Sequence, residues 1–180
     1  MKMISRIIII YSSVDGQTKK ICKHIRESLI VNNHSVEIFS IDNLPYTIDQ
    51  ISKFDKIVIA SSIRYGKHNE HIVKFIQDNF EFLNSKKTAF LSVNLVARKK
   101  EKSKPDTNPY VAKFLNSIKW KPTICTVFAG KLNYKLYPFR DRIMIKLIML
   151  MTKGPTDSKT EIEYTDWNDV DKFVKDLMEI

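Results

Sequence analysis

Apolar residues along this chain fall into short unbroken runs, separated by longer stretches in which they recur every three or four positions. The first run, Ile7-Ile8-Ile9-Ile10-Tyr11, opens with four β-branched residues, the pattern of a strand covered on both faces, and it reads as the central strand. After a polar turn from Ser12 to Gly16, Ile21, Ile25, Leu29 and Ile30 recur at helical spacing until Asn32-Asn33, which completes a βα unit. Val36 and Ile38 alternate in a second strand over 35–40. A third strand covers 55–60, with Pro45 and a short helical stretch before it. Residues 71–83 place Ile72, Phe75, Ile76 and Phe80 on one helical face, and 88–93 form a fourth apolar strand. Pro109 is placed to open a helix over 108–118, 123–129 make the fifth strand, and 167–178 close as an amphipathic helix with Val170, Phe173, Val174 and Leu177 inward.

Strands alternating with helices predict a three-layer, doubly wound α/β fold, in which a ligand sits beyond the C-terminal ends of the strands. The segment 131–166 does not belong to that plan. It is too long for a simple connection, so a functional insertion is expected at about 131–160 within one domain spanning 1–180. Inside it, residues 139–151 read as a helix whose apolar stretch is shorter than the roughly 20 residues needed to cross a bilayer.

Composition narrows the picture. A chain of 180 residues with 43% hydrophobic content suits one domain with a sizeable core. A formal charge of +10 favours anionic partners without choosing among phosphates, carboxylates, acidic lipids and nucleic acid. Cys22 and Cys125 lie in no metal-ligand or redox spacing and read as reduced structural thiols, with no metal site implied. The run at Ile7 is shorter than a signal-peptide core, so a cytoplasmic protein is expected.

Candidate chemistry sits in the loops after the strands. Ser12-Ser13-Val14-Asp15-Gly16-Gln17-Thr18 falls between strand one and helix one, where hydroxyls, backbone N–H groups and a helix N-terminus can hold a phosphate, although the same residues could serve only as a helix cap. The loop lacks the Gly-x-Gly-x-x-Gly of a dinucleotide site and the Gly-Lys-Ser/Thr of a triphosphate loop, so a monophosphate fits better. Acidic residues expected of a receiver domain are replaced by Ser12-Ser13 and Ala60-Ser61-Ser62.

At this point the residues resemble those of flavodoxins, whose phosphate loop reads roughly Thr/Ser-x-Thr-Gly-x-Thr and appears here as Ser13-Val14-Asp15-Gly16-Gln17-Thr18. The departure is Asp15. A carboxylate would be repelled by a phosphate dianion, so Asp15 is expected to turn away and bond backbone amides. Four further segments extend the match: Ala60-Ser61-Ser62-Ile63-Arg64-Tyr65-Gly66, Ser92-Val93-Asn94-Leu95-Val96-Ala97-Arg98, Arg142-Ile143-Met144-Ile145-Lys146-Leu147-Ile148-Met149 and Tyr164-Thr165-Asp166-Trp167. With these, nearly the whole chain, insertion included, is similar to the flavodoxin-like, quinone-linked protoporphyrinogen oxidases of bacterial haem biosynthesis.

That resemblance implies a five-stranded parallel sheet in the order 2-1-3-4-5, bound FMN, and dehydrogenation of protoporphyrinogen IX to protoporphyrin IX, with electrons passing to menaquinone or ubiquinone. It implies a protein peripherally attached to the cytoplasmic face of the inner membrane, and leaves a homo-oligomer open. Ser12 to Thr18 would hold the cofactor's phosphate, and Ser62, Ile63, Arg64, Tyr65, Gly66, Ser92, Val93, Asn94, Leu95 and Val96 would surround its ring. Arg98, Lys99 and Lys100, in a loop with five basic residues against one acid, could meet the substrate's propionates or simply be solvated. Arg140, Arg142 and Lys146 lie in a stretch with six basic residues and the single acid Asp141, which suits a helix in an anionic lipid interface or one packed into the core. Tyr65 is the only aromatic in the two ring loops, so one flavin face would stay open for a flat substrate or quinone. Arg64 could stabilise reduced flavin or bind a propionate, and His68 is the nearest proton acceptor by sequence. The alternatives are a flavodoxin-type electron carrier or an NAD(P)H-quinone reductase; nucleic acid is not expected as a partner.

Overall fold

The chain is described over residues 4–180 by a computed structural model. The isoleucine run builds its centre. In β1 (Arg6–Ser12) alternate side chains leave opposite faces, so Ile7 and Ile9 enter one core layer and Ile8 and Ile10 the other, all with no exposed surface. Each such burial stabilises the fold by about 1.5–3 kcal/mol. The first layer is filled by α1 (Gln17–Val31) through Ile21, Ile25 and Leu29, and by the C-terminal helix through Val170, Phe173 and Leu177.

β2 (Ser35–Ser40) and β3 (Lys56–Arg64) flank β1, with the short helix α2 (Ile48–Ile51) between them in sequence. A two-residue turn folds β3 back on β4 (Lys67–His68). After α3 (Glu70–Asp78) and α4 (Phe80–Asn84) come β5 (Lys87–Asn94), α5 (Pro109–Ser117) and β6 (Ile124–Ala129). The order is β2-β1-β3-β5-β6, with neighbours along this path parallel and β4 antiparallel beside β3. Counting the five long strands alone, this is the expected 2-1-3-4-5 order. The middle strand is β3 rather than β1. The second core layer gathers Ile72, Ile76, Val111, Phe114 and the fully buried Trp120, whose indole N–H donates to Thr88 Oγ1 at 3.1 Å.

Two elements differ from the periodicity. The helix predicted over 71–83 breaks at Asn79, whose side-chain amide donates to the Phe75 carbonyl at 2.8 Å and takes a place in the helical ladder. The segment after β6 holds an antiparallel ribbon that its charged, three-residue strands conceal: β7 (Lys131–Asn133) pairs with β8 (Glu161–Glu163). Between them runs α6 (Phe139–Met151), over the expected residues, and beyond them α7 (Trp167–Glu179). Lys56 Nζ donates to the Leu177 and Met178 carbonyls, 2.9 and 3.0 Å away, where a cation complements the C-terminal end of α7.

The segment has its own small core of Leu132, Tyr134, Tyr137, Ile145 and Met149, against which Leu95 and Tyr164 pack. α6 is apolar on both sides. It buries Ile145 and Met149 and exposes Phe139, Ile143, Leu147 and Leu150, which are spaced four, four and three apart along one stripe. No helix among the described residues is long and apolar enough to cross a membrane.

Candidate functional site

Three chain reversals at the C-terminal ends of β1, β3 and β5 surround one cavity of about 330 Å³. Gly16 makes the first: its φ of +82° turns the chain from Ser12 into α1, a conformation that costs glycine nothing. Tyr65 and Gly66 make the second, both at positive φ (52° and 76°) as a two-residue hairpin turn requires. In the third, Asn94 accepts from Ala97 N–H at 3.0 Å and from the Asn108 side chain at 3.1 Å, which fixes the path after β5.

The expected phosphate loop brings Ser13, Asp15, Gln17 and Thr18 to the cavity wall, whereas Ser12, Val14 and Gly16 are not among its lining residues. Ser12 Oγ instead pairs with Ser61 Oγ at 3.1 Å inside the sheet. Thr18 Oγ1 is buried at the wall with no hydrogen-bond partner among the described residues. The leading N–H groups of α1 have no intrahelical acceptor and Gly16 as N-cap offers them no side chain; Ser13 Oγ accepts from the Lys19 N–H at 3.3 Å, which leaves those of Gln17 and Thr18. An unpaired hydroxyl beside the N-terminal end of a 15-residue helix is a donor set that a phosphate ester would satisfy. Gln17 in turn is held from behind, donating to Thr165 Oγ1 at 2.9 Å, which donates to the Ala129 carbonyl at 2.7 Å.

Ser62 to Gly66 and Val93 to Val96 all line the cavity, while Ser92 faces away and bonds His68. Ser62 to Arg64 and Ser92 to Asn94 belong to strands rather than loops, because β3 and β5 remain paired as far as Ser62 and Val93.

The charged groups depart from expectation. Asp15 does not bond backbone amides; its carboxylate lies 3.1 Å from the Arg64 guanidinium, which neutralises it. Burial nonetheless holds the Asp15 carboxyl above its ordinary pKa. Arg64 is therefore no free cation: it also meets Asp141 at 3.2 Å and lies over the Tyr137 ring at 5.3 Å. His68 is not at the cavity. The β3–β4 hairpin folds it into the core against Phe90 and Phe114, with Nε2 3.0 Å from Ser92 Oγ, and burial lowers its pKa to about 4.

Among the basic residues expected to meet substrate or membrane, Arg98 is hydrogen-bonded within the protein. It donates to the Leu95 carbonyl and, at 2.5 Å, to Thr152 Oγ1 at the end of α6. Lys99, Lys100, Arg140, Arg142 and Lys146 are absent from the cavity wall; Arg140 is exposed, Lys146 reaches Ser158 Oγ and Arg142 donates to the Tyr137 carbonyl. Tyr65 is not the only aromatic near the cavity, since Tyr110 and Tyr137 also line it, with Gly130, Lys131, Met144, Ile145 and Ile148. Sequence reasoning missed these because each comes from outside the three loops. Their signal was the excess length of the segment that supplies most of them.

Comparison with known proteins agrees with this architecture. A flavodoxin domain model matches residues 8–159. Protoporphyrinogen IX dehydrogenase (quinone) of Escherichia coli strain K12 is 40% identical over 172 residues, covering 96% of this chain and 94% of that protein. The protein of the same name from Leishmania major is 37% identical, covering 96% and 74%. Among solved structures, a flavodoxin from Pseudomonas aeruginosa superposes with a TM-score of 0.55 at 9% identity, each chain covered to 97%. Oxidised flavodoxin 1 from Bacillus cereus gives 0.53 at 15% identity, covering 97% of this chain and 96% of the other. The chain belongs to the flavodoxin-domain family and, within it, to the group of its protoporphyrinogen IX dehydrogenase (quinone) relatives.

Proposed function

We propose that this chain binds FMN in the cavity and dehydrogenates protoporphyrinogen IX to protoporphyrin IX, passing the electrons to a quinone. The observation that carries the reading is the unpaired Thr18 hydroxyl at the head of α1, at the wall of a cavity that the apolar Met144, Ile145 and Ile148 of α6 also line. The hydroxyl suits a phosphate and the apolar side chains a flat hydrophobic molecule. Ser13, Gln17, Thr18 and the N–H groups of α1 would hold the phosphate, and backbone groups of Ile63 to Gly66 and Asn94 to Val96 would meet the ring. FMN, when bound, would supply an acceptor for two electrons at a time, so the six-electron dehydrogenation would take three cycles, each ending with the reduction of one quinone. The protein's part is to orient the substrate, keep water out through α6 and neutralise charge at the rim.

Anaerobic reconstitution with FMN, followed by protoporphyrinogen IX and a menaquinone analogue, is expected to give porphyrin fluorescence that rises only when protein, FMN and quinone are all present. Equal rates without FMN or without quinone would reject the enzyme, and reduction by NAD(P)H alone would favour a carrier or quinone reductase.

The 131–160 segment is in our reading the functional insertion, and its partner is an anionic membrane surface. The exposed stripe Phe139, Ile143, Leu147 and Leu150 is bordered by the exposed cations Lys135, Arg140 and Lys153, an arrangement suited to a helix lying in the lipid interface on the cytoplasmic side. Replacing Leu147 and Leu150 together by serine is expected to reduce sedimentation with phosphatidylglycerol vesicles at least about fivefold while leaving FMN bound, since each buried apolar side chain contributes about 1.5–3 kcal/mol. Undiminished sedimentation would remove the stripe from the lipid contact.

A further inference from the structure

Asp141 is the one carboxylate of α6 and lies on its buried side with Ile145 and Met149. It is 8% exposed, which is costly for an ionised group unless it is paired. Both oxygens are used: Oδ1 accepts from the Tyr65 hydroxyl, and Oδ2 lies 3.2 Å from Arg64. These partners are consecutive residues at the β3–β4 turn, and both line the cavity. Tyr65 is 60% exposed, so packing alone does not fix its ring. Arg64 continues the chain of contacts to Asp15 in the loop before α1. Two carboxylates from separate parts of the sequence thus meet one guanidinium, and of the two it is Asp141 of α6 that also accepts from the tyrosine.

We infer that Asp141 is a positioning residue for the cofactor site: from α6 it sets the orientation of the Tyr65 ring and the Arg64 guanidinium at the cavity wall, so that the geometry around the flavin depends on α6 being seated. The inference rests on the FMN reading above for its functional meaning, but its structural content is independent of it. With Asp141 in place, Arg64 is shared by two carboxylates. With asparagine there, volume is kept but an amide replaces the charge facing the guanidinium, and Arg64 is left to Asp15 alone.

The test uses the full chain with Asp141→Asn, Asp141→Glu, Tyr65→Phe and the double variant Tyr65→Phe/Asp141→Asn, first without cofactor and then loaded with FMN. Without cofactor, Asp141→Asn is expected to raise the rate of tryptic cleavage after Lys146 and Lys153, away from the substituted residue, about tenfold, the scale of one lost hydrogen bond to a charged group. Loaded with FMN, the same variant is expected to change the visible circular dichroism of the flavin and to raise KM for protoporphyrinogen about tenfold with kcat within about twofold. Asp141→Glu is expected to restore part of both. The double variant should be no worse than Asp141→Asn, because the tyrosine acts through the carboxylate. Visible spectra and KM superimposable on the wild type, or effects of the two single changes that multiply in the double variant, would overturn the positioning role. Failure of the wild type itself to bind FMN would instead sink the proposed function; unchanged tryptic cleavage in the cofactor-free Asp141→Asn variant would then decide against the inference on its own.

Discussion

Thr18→Val is expected to weaken FMN binding by about ten- to a hundredfold while leaving the cofactor-free protein as stable as the wild type. The two halves of the result have one cause. Thr18 is 1% exposed and its hydroxyl has no partner among the described residues, so valine, which has the same shape, gives up no hydrogen bond within the protein. It does remove a donor to a charged oxygen, worth about 1.5–3 kcal/mol once a phosphate is there. Urea unfolding of the cofactor-free protein and fluorescence titration with FMN separate the effects. A fall in stability with unchanged affinity would make Thr18 an ordinary core residue and move the phosphate elsewhere.

The second large effect is a loss of stability in mild acid that belongs to His68. Burial lowers its folded pKa to about 4 from an ordinary 6.5. As pH falls below 6.5 the unfolded chain takes up this proton before the folded one does. The stability gained by keeping the ring neutral is therefore complete above pH 6.5, declines between 6.5 and 4, and is lost below 4. At about 1.4 kcal/mol per pH unit of separation, the full loss is about 3 kcal/mol. Glu161 and Glu163, held below their ordinary values chiefly by Lys131 and by Lys20 with Gln17, lose stability in the same direction. His68→Gln isolates the histidine, since it can keep the hydrogen bond to Ser92 without titrating. The difference in unfolding free energy between pH 7 and pH 4.5 is expected to be smaller by about 2–3 kcal/mol in this variant. Equal pH dependence in the two proteins would mean that the ring is protonated at little cost in place.

Much of this molecule is legible in the order of its residues, and the exceptions have identifiable reasons. Ile7 to Ile10 could hardly be anything but a buried strand, and the stretch Phe139–Met151 between Pro138 and the Lys153-Gly154 turn carries its own boundaries. The ends of β3 and β5 were hidden because serine, arginine and asparagine are weak strand formers; pairing such as Ser61 with Ser92, and not local preference, keeps them extended. The ribbon of β7 and β8 was hidden for the same reason, its Lys131–Glu161 ion pair joining residues thirty positions apart. His68 was misplaced because a two-residue hairpin reverses its direction, a matter of Tyr65 and Gly66 adopting positive φ. Asp15 was misjudged because its partner, Arg64, comes from another strand. Local pattern finds elements and the loops between them; which charge neutralises which is settled only by the fold.

The excursion from residue 131 to 163 leaves and returns at one point. Tyr164 N–H donates to the Gly130 carbonyl at 3.1 Å, and Lys131 stands opposite Glu163 in the ribbon. A detour with such stapled ends costs little more in chain entropy when long than when short. It also places no demand on the register between β5 and β6, which is set before the excursion begins. An arm of a different length could therefore leave and return between Gly130 and Tyr164 without rebuilding the sheet.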